Sequence, residues 1–99
     1  MHVHNVYFWL RNDTNQQSML NFEAGLQTLT NDPAVASGYF GTPADTDRDV
    51  VDNSYSYGLV LVFQNKAAHD QYQEGAVHAK FLEAHASKWD KVLVYDVRT

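Results

Sequence analysis

The chain reads as an α+β fold with the element order β-α-β-β-α-β, the split βαβ of a ferredoxin-like subunit with a four-stranded antiparallel sheet. Three observations predict it. Residues 2–10, 55–63 and 91–97 are alternating or continuous apolar runs rich in β-branched and aromatic side chains. Two stretches between them repeat apolar residues at three- and four-residue steps, the period of an amphipathic helix. The segment "VASGYFG", with Pro33 before it and Pro43 after, supplies one more short strand.

The first strand places His2, His4, Val6, Phe8 and Leu10 on one face and Val3, Asn5, Tyr7 and Trp9 on the other. In "TNQQ", Thr14 is the expected N-cap, with Gln17 three residues on completing a capping box. Met19, Phe22, Leu26 and Leu29 then form the apolar stripe of a helix that ends near "TNDP". In "YSYGLVLVF", Tyr57, Leu59, Leu61 and Phe63 line one face against Ser56, Gly58, Val60 and Val62. Asn65 is placed to cap the short helix "NKAAHDQYQE". Gly75 breaks it, and a second helix is expected from about Ala76 to Trp89. "KVLVYDV" closes the chain, with Val92 and Val94 opposing Leu93, Tyr95 and Val97. Nothing repeats and no linker interrupts the pattern, so residues 1–99 are expected to form one domain.

Both faces of these strands are apolar, yet in this topology the helices cover only one. The uncovered face would exceed the few hundred Å² that a monomer tolerates. A second copy packed sheet to sheet about a two-fold axis removes it, which predicts a homodimer through the face opposite the helices.

Composition excludes several classes. Asp and Glu outnumber Lys and Arg by 12 to 7, a formal charge of −5, and the cations are scattered, so nucleic acid is not an expected partner. There is no cysteine for a disulfide or a thiolate metal site. No apolar run approaches a membrane span, and "MHVHNVYFWL" lacks the features of a secretion signal, so a cytoplasmic location away from membranes is expected. Asp45, Asp47, Asp49 and Asp52 crowd the segment 42–54, which lacks the mid-loop Gly and terminal Glu of a calcium loop and reads as a solvated loop.

One histidine raises a chemical question. His78 falls in the first turn of the last helix, on the stripe shared by Phe81, Leu82 and Trp89. An imidazole aimed at a core needs a polar partner, because an unpaired buried polar group costs a few kcal/mol. Either His78 is a satisfied core histidine, bonded to His4 or Tyr72, or it faces a cavity. In the second case, His4, Val6 and Phe8 with Tyr57, Leu59, Phe81, Trp89, Val92 and Val94 would make an apolar cup for a small apolar or aromatic ligand. A neutral His against an apolar wall can take a proton near pH 7. A Tyr hydroxyl such as that of Tyr72 can hold a carbonyl oxygen as charge develops. His2 and His4 also form an H-x-H pair, but two ligands do not make a metal site and no acid at matching depth is evident, so neither a metal nor another cofactor is expected. His69 and His85 read as surface or rim residues.

The opening "HVHNVYFWL", the pairing of "SYSYGLVLVF" with "NKAAHDQYQEGAVHAKF", and the closing "WDKVLVYDV" together resemble the stress-responsive A/B barrel (Dabb) family, whose subunits pair into a dimeric α+β barrel. Many members of that family have no assigned activity. One is a plant polyketide cyclase that closes a ring without metal or cofactor, using a His as base and a Tyr beside it. The resemblance carries those roles to His78 and Tyr72, and that of a pocket His in the first strand to His4. Three positions depart: Tyr57 replaces a pocket His, Gly25 a Tyr, and Gly75 the first His of a His-Pro-x-His turn. The resemblance thus implies cofactor-free proton transfer on a carbonyl compound, without the cyclase's own substrate. The alternatives are a non-catalytic metabolite binder and a purely structural dimer.

Overall fold

β1 (His2–Leu10), α1 (Gln16–Thr30), β2 (Ser37–Gly41), β3 (Tyr57–Phe63), α2 (Lys66–Glu74), α3 (Ala76–His85) and β4 (Trp89–Arg98) follow one another along the computed structural model, which describes residues 1–99. The strands form one antiparallel sheet in the order β2-β3-β1-β4. This is the expected ferredoxin-like α+β architecture.

Helix starts follow local side-chain chemistry. Asn15, not Thr14, caps α1: its Oδ1 accepts from the Ser18 backbone N–H at 2.8 Å. Asparagine and threonine satisfy the same orphan donors, so the pattern "TNQQ" misplaces the cap by one residue. Asn65 caps α2 as expected, accepting from the Ala68 N–H at 2.9 Å. Gly75 ends α2 and begins α3 in extended conformation, φ −81° and ψ 165°. A Cβ there would sit 3.1 Å from the Gln71 carbonyl oxygen, tighter than an ordinary contact. The break brings the last turn of α2 against the first turn of α3.

The sheet register decides which residues meet. Val6 stands opposite Leu59 and Val94, and Phe8 opposite Tyr57 and Val92. Directly opposed residues share a face, so His4, Val6 and Phe8 point at the helices together with Tyr57, Leu59, Leu61 and Phe63. Phe22, Leu26 and Leu29 of α1, Tyr72 of α2 and Phe81 of α3 close the core over them. Full burial of each such side chain stabilises the fold by roughly 1.5–3 kcal/mol.

Three further expectations are corrected. The last helix stops at His85, and a 3-10 turn over Ala86–Lys88 leads into β4. Trp89 is therefore a strand residue, opposite Leu10 across a register shift, and its ring lies 5.0 Å from Phe8. Leu82, expected on the buried stripe, is exposed. β3 begins at Tyr57 rather than residue 55.

The helices leave β4 open: Val92 and Val94 face their side of the sheet yet are 42% and 46% exposed. On the opposite face Tyr39 and Tyr95 are 67% and 58% exposed, and Tyr7, Trp9, Asp52, Tyr55, Leu93 and Tyr95 line a hollow of about 330 Å³. The four aspartates of the 42–54 loop are exposed. No helix is long and apolar enough to cross a membrane.

Candidate functional site

A cup opens between α2, α3 and the sheet, at the edge where β4 is uncovered. Its wall includes His4, Val6 and Phe8 of β1, Leu59 of β3, Tyr72 of α2, His78 and Phe81 of α3, and Trp89, Val92 and Val94 of β4. Ten of the eleven residues expected in the cup, His78 and Tyr72 among them, are thus gathered, and only Tyr57 is absent. The cup also takes in Leu82 of the His78 stripe, and Leu29 and Gln73, which sequence reasoning missed. Its volume is about 160 Å³. That is about half the smallest usual ligand pocket, and close to a cavity of roughly 150 Å³ that admits benzene.

Tyr57 is the exception. It is 2% exposed, packs against Phe22, and donates its hydroxyl to Glu23 Oε2 of α1 at 2.5 Å. Burial, with the Glu23 carboxylate second, pushes its pKa up to about 12. It belongs to the core beneath α1 and neither lines the cup nor reaches His78.

Tyr72 and His78 stand edge to face across the Gly75 break, with ring centroids 5.2 Å apart. Burial raises the Tyr72 pKa, so its hydroxyl stays protonated and is a donor at neutral pH. Burial lowers the pKa of half-buried His78, and nearby His4 lowers it further against the opposing pull of Asp32. Its imidazole is therefore neutral near pH 7 and able to accept a proton. The cup thus joins one donor, one base and an apolar wall.

His4 is a buried histidine with partners of its own. Its Nδ1 donates to Asp96 Oδ1 at 2.6 Å, and its Nε2 lies 3.4 Å from the Gln73 amide nitrogen. Burial lowers its pKa although Asp96 opposes this. Burial works to raise the Asp96 pKa, but hydrogen bonds from His4 and His2 outweigh it and hold the carboxyl below its usual range. The absence of a matching acid, expected from the sequence, is therefore corrected: the β1–β4 register sets Asp96 opposite His4.

His69 and His85 are not rim residues. The His69 ring stacks on His2 at 4.1 Å and meets His4 edge-on at 4.9 Å. Its spacing of three from Tyr72 was a readable sign that it shares the inward face of α2. His2, His4, His69 and Asp96 present ligand atoms all within 4.8 Å of one another. His85 lies over Gly25, where a Cβ would come within 2.5 Å of its Nε2, and the ring fills the space between α1 and α3.

The model of the stress-responsive A/B barrel domain matches residues 3–99. The chain belongs to that family. No curated protein matches it. Among solved structures, an Arabidopsis thaliana protein superposes on this A/B barrel chain with a TM-score of 0.83 at 19% identity, covering 100% of this chain and 95% of that one. A dimeric ferredoxin-like protein of unknown function from Thermobifida fusca gives 0.80 at 15% identity, over 99% and 90% of the two chains. A hydroxynitrile lyase from Passiflora edulis gives 0.79 at 17% identity, over 97% and 90%. At such identities these likenesses establish the A/B barrel's ferredoxin-like fold alone.

Proposed function

We propose that this A/B barrel protein acts as a homodimer whose cup binds a single-ring aromatic or short-chain carbonyl compound and moves a proton on it without a cofactor. His78 takes a proton from the carbon beside the carbonyl, and the electron pair of that C–H bond shifts to leave negative charge on the carbonyl oxygen. The Tyr72 hydroxyl donates to that oxygen. The imidazolium of His78 then returns its proton to the product. His4 closes the polar end of the cup, held by Asp96 and Gln73.

The observation that carries this reading is the pairing of a neutral base with a protonated donor, ring centroids 5.2 Å apart, in a recess whose wall is mostly apolar. A positioned base of this kind contributes typically 10²–10⁴-fold. The dimeric state is supported by the aromatic sheet face and by the Thermobifida relative's description as dimeric.

The test is proton exchange in D₂O, followed by NMR for a panel of small ketones, aldehydes and phenolic ketones. Wild-type protein should exchange the acidic carbon-bound proton of at least one compound that perturbs cup resonances. His78→Ala should abolish that exchange, and Tyr72→Phe should slow it by about 10–100-fold. Binding without exchange would reduce the cup to a metabolite-binding site. Exchange undiminished in His78→Ala would remove His78 from the chemistry.

A further inference from the structure

We propose that His2, His4, His69 and Asp96 form a binding site for one divalent late-transition-metal ion, with zinc the best match, that clasps α2 to the end of the sheet. This goes beyond the reading of the cup and does not depend on it. Residues from three elements converge there. β1 supplies His2 and His4, α2 supplies His69, and β4 supplies Asp96.

Distances favour a single ion. His2 Nε2 and His4 Nδ1 lie 3.1 and 2.6 Å from the same Asp96 Oδ1. Around a tetrahedral zinc with bonds near 2.0–2.1 Å, neighbouring ligand atoms are about 3.3 Å apart. The whole set spans at most 4.8 Å, so side-chain rotations of an ångström or so complete the shell. The ion takes the place of the two hydrogen bonds that Asp96 now accepts, and the ring protons of His2 and His4 move to their other nitrogens.

A second observation points at a missing partner. His69 Nε2 is fully buried and has no hydrogen-bond partner, while its Nδ1 lies 3.1 Å from Asp70 Oδ1. With Nδ1–H donating to Asp70, Nε2 carries a bare lone pair. Such a buried acceptor is costly when left alone, and a metal ion satisfies it. The arrangement is also that of ligating histidines generally, in which the second ring N–H donates to a carboxylate, a backbone carbonyl or water. Asp70 holds His69 in this way.

The ligand set chooses the ion. Three imidazoles and one carboxylate suit zinc and its neighbours, whereas calcium and magnesium require oxygen shells. Four protein ligands leave no open position, which is the mark of a structural site. A groove of about 490 Å³, lined by His2, Asp96 and the adjoining chain, offers the route of entry.

The test is calorimetric titration of the tag-free, chelator-stripped protein with zinc. Binding of one zinc per chain is expected, with a dissociation constant on the order of 1 μM or tighter, together with a raised melting temperature. His69→Gln and His2→Gln should each weaken binding by at least about tenfold, whereas His85→Gln, a histidine outside the cluster, should leave it unchanged. Cobalt should give the intense visible absorption of a four-coordinate site in the wild type and lose it in both cluster variants. Circular dichroism establishes that each variant is folded, and if His69→Gln is not, His2→Gln at the groove edge carries the comparison. No zinc binding at about a hundred times that dissociation constant would overturn the proposal. Equal weakening by His85→Gln, or full affinity in both cluster variants, would overturn it as well.

Discussion

The Tyr72 and His78 rings meet edge to face at 5.2 Å because Gly75 lets α2 end and α3 begin within a single residue. The relationship sets both the chemistry of the cup and its pH dependence.

For His78, burial and then the proximity of His4 depress the pKa below the usual 6.5. The neutral base thus persists on the acid side of 6.5, and exchange by the wild type should stay flat from pH 8 to about 6.5, falling only at lower pH. In linkage terms the unfolded chain binds this proton more readily than the folded one. The His78 contribution to stability is therefore fully present above 6.5 and lost as pH falls below it. An exchange-rate profile from pH 5 to 8 checks this, and a midpoint above 6.5 would contradict the burial of His78.

Tyr57 offers a separation of core from cup. Tyr57→Phe removes the hydroxyl bonded to Glu23 and should destabilise the protein by about 1–2 kcal/mol. Because Tyr57 does not line the cup, affinity for any cup ligand should be unchanged. Chemical denaturation and a ligand titration of the same variant test both halves.

Gly25 and His85 should be energetically coupled. Gly25→Ala drives a methyl to within 2.5 Å of His85 Nε2 and should cost about 1–3 kcal/mol despite alanine's better helix propensity. In a His85→Ala background the same change should be neutral or stabilising. A double-mutant cycle with a coupling below about 0.5 kcal/mol would show that α1 and α3 are not wedged apart by that ring.

The outer sheet face carries the assembly prediction. Tyr7 sits 5.0 Å from Tyr55 and 6.4 Å from Tyr95, and Lys91 Nζ lies 4.3 Å over the Trp9 ring. Tyr7→Asp places a charge in the middle of this aromatic patch and should shift the protein from dimer to monomer in sedimentation velocity. The cup lies on the other face, so monomeric Tyr7→Asp should retain its ligand.

Short-range pattern was enough for the architecture. Alternation in β1 and β3, the three-and-four spacing of Phe22, Leu26 and Leu29, and the breaker Gly75 each act within a few residues, where sterics and burial leave few choices. The same pattern identified most of the cup, because a strand's period assigns each residue to a face before its neighbours are known. What separated expectation from outcome lay in contacts between distant segments. Tyr57 shares a face with Leu59, but the carboxylate of Glu23 on α1 draws it out of the cup. His4 meets Asp96 only through the β1–β4 register, which spans 92 residues of chain. His69 joins them only because α2 packs over that end of the sheet. Local periodicity determines which side a residue faces; the pairing of strands and the docking of helices determine whom it meets.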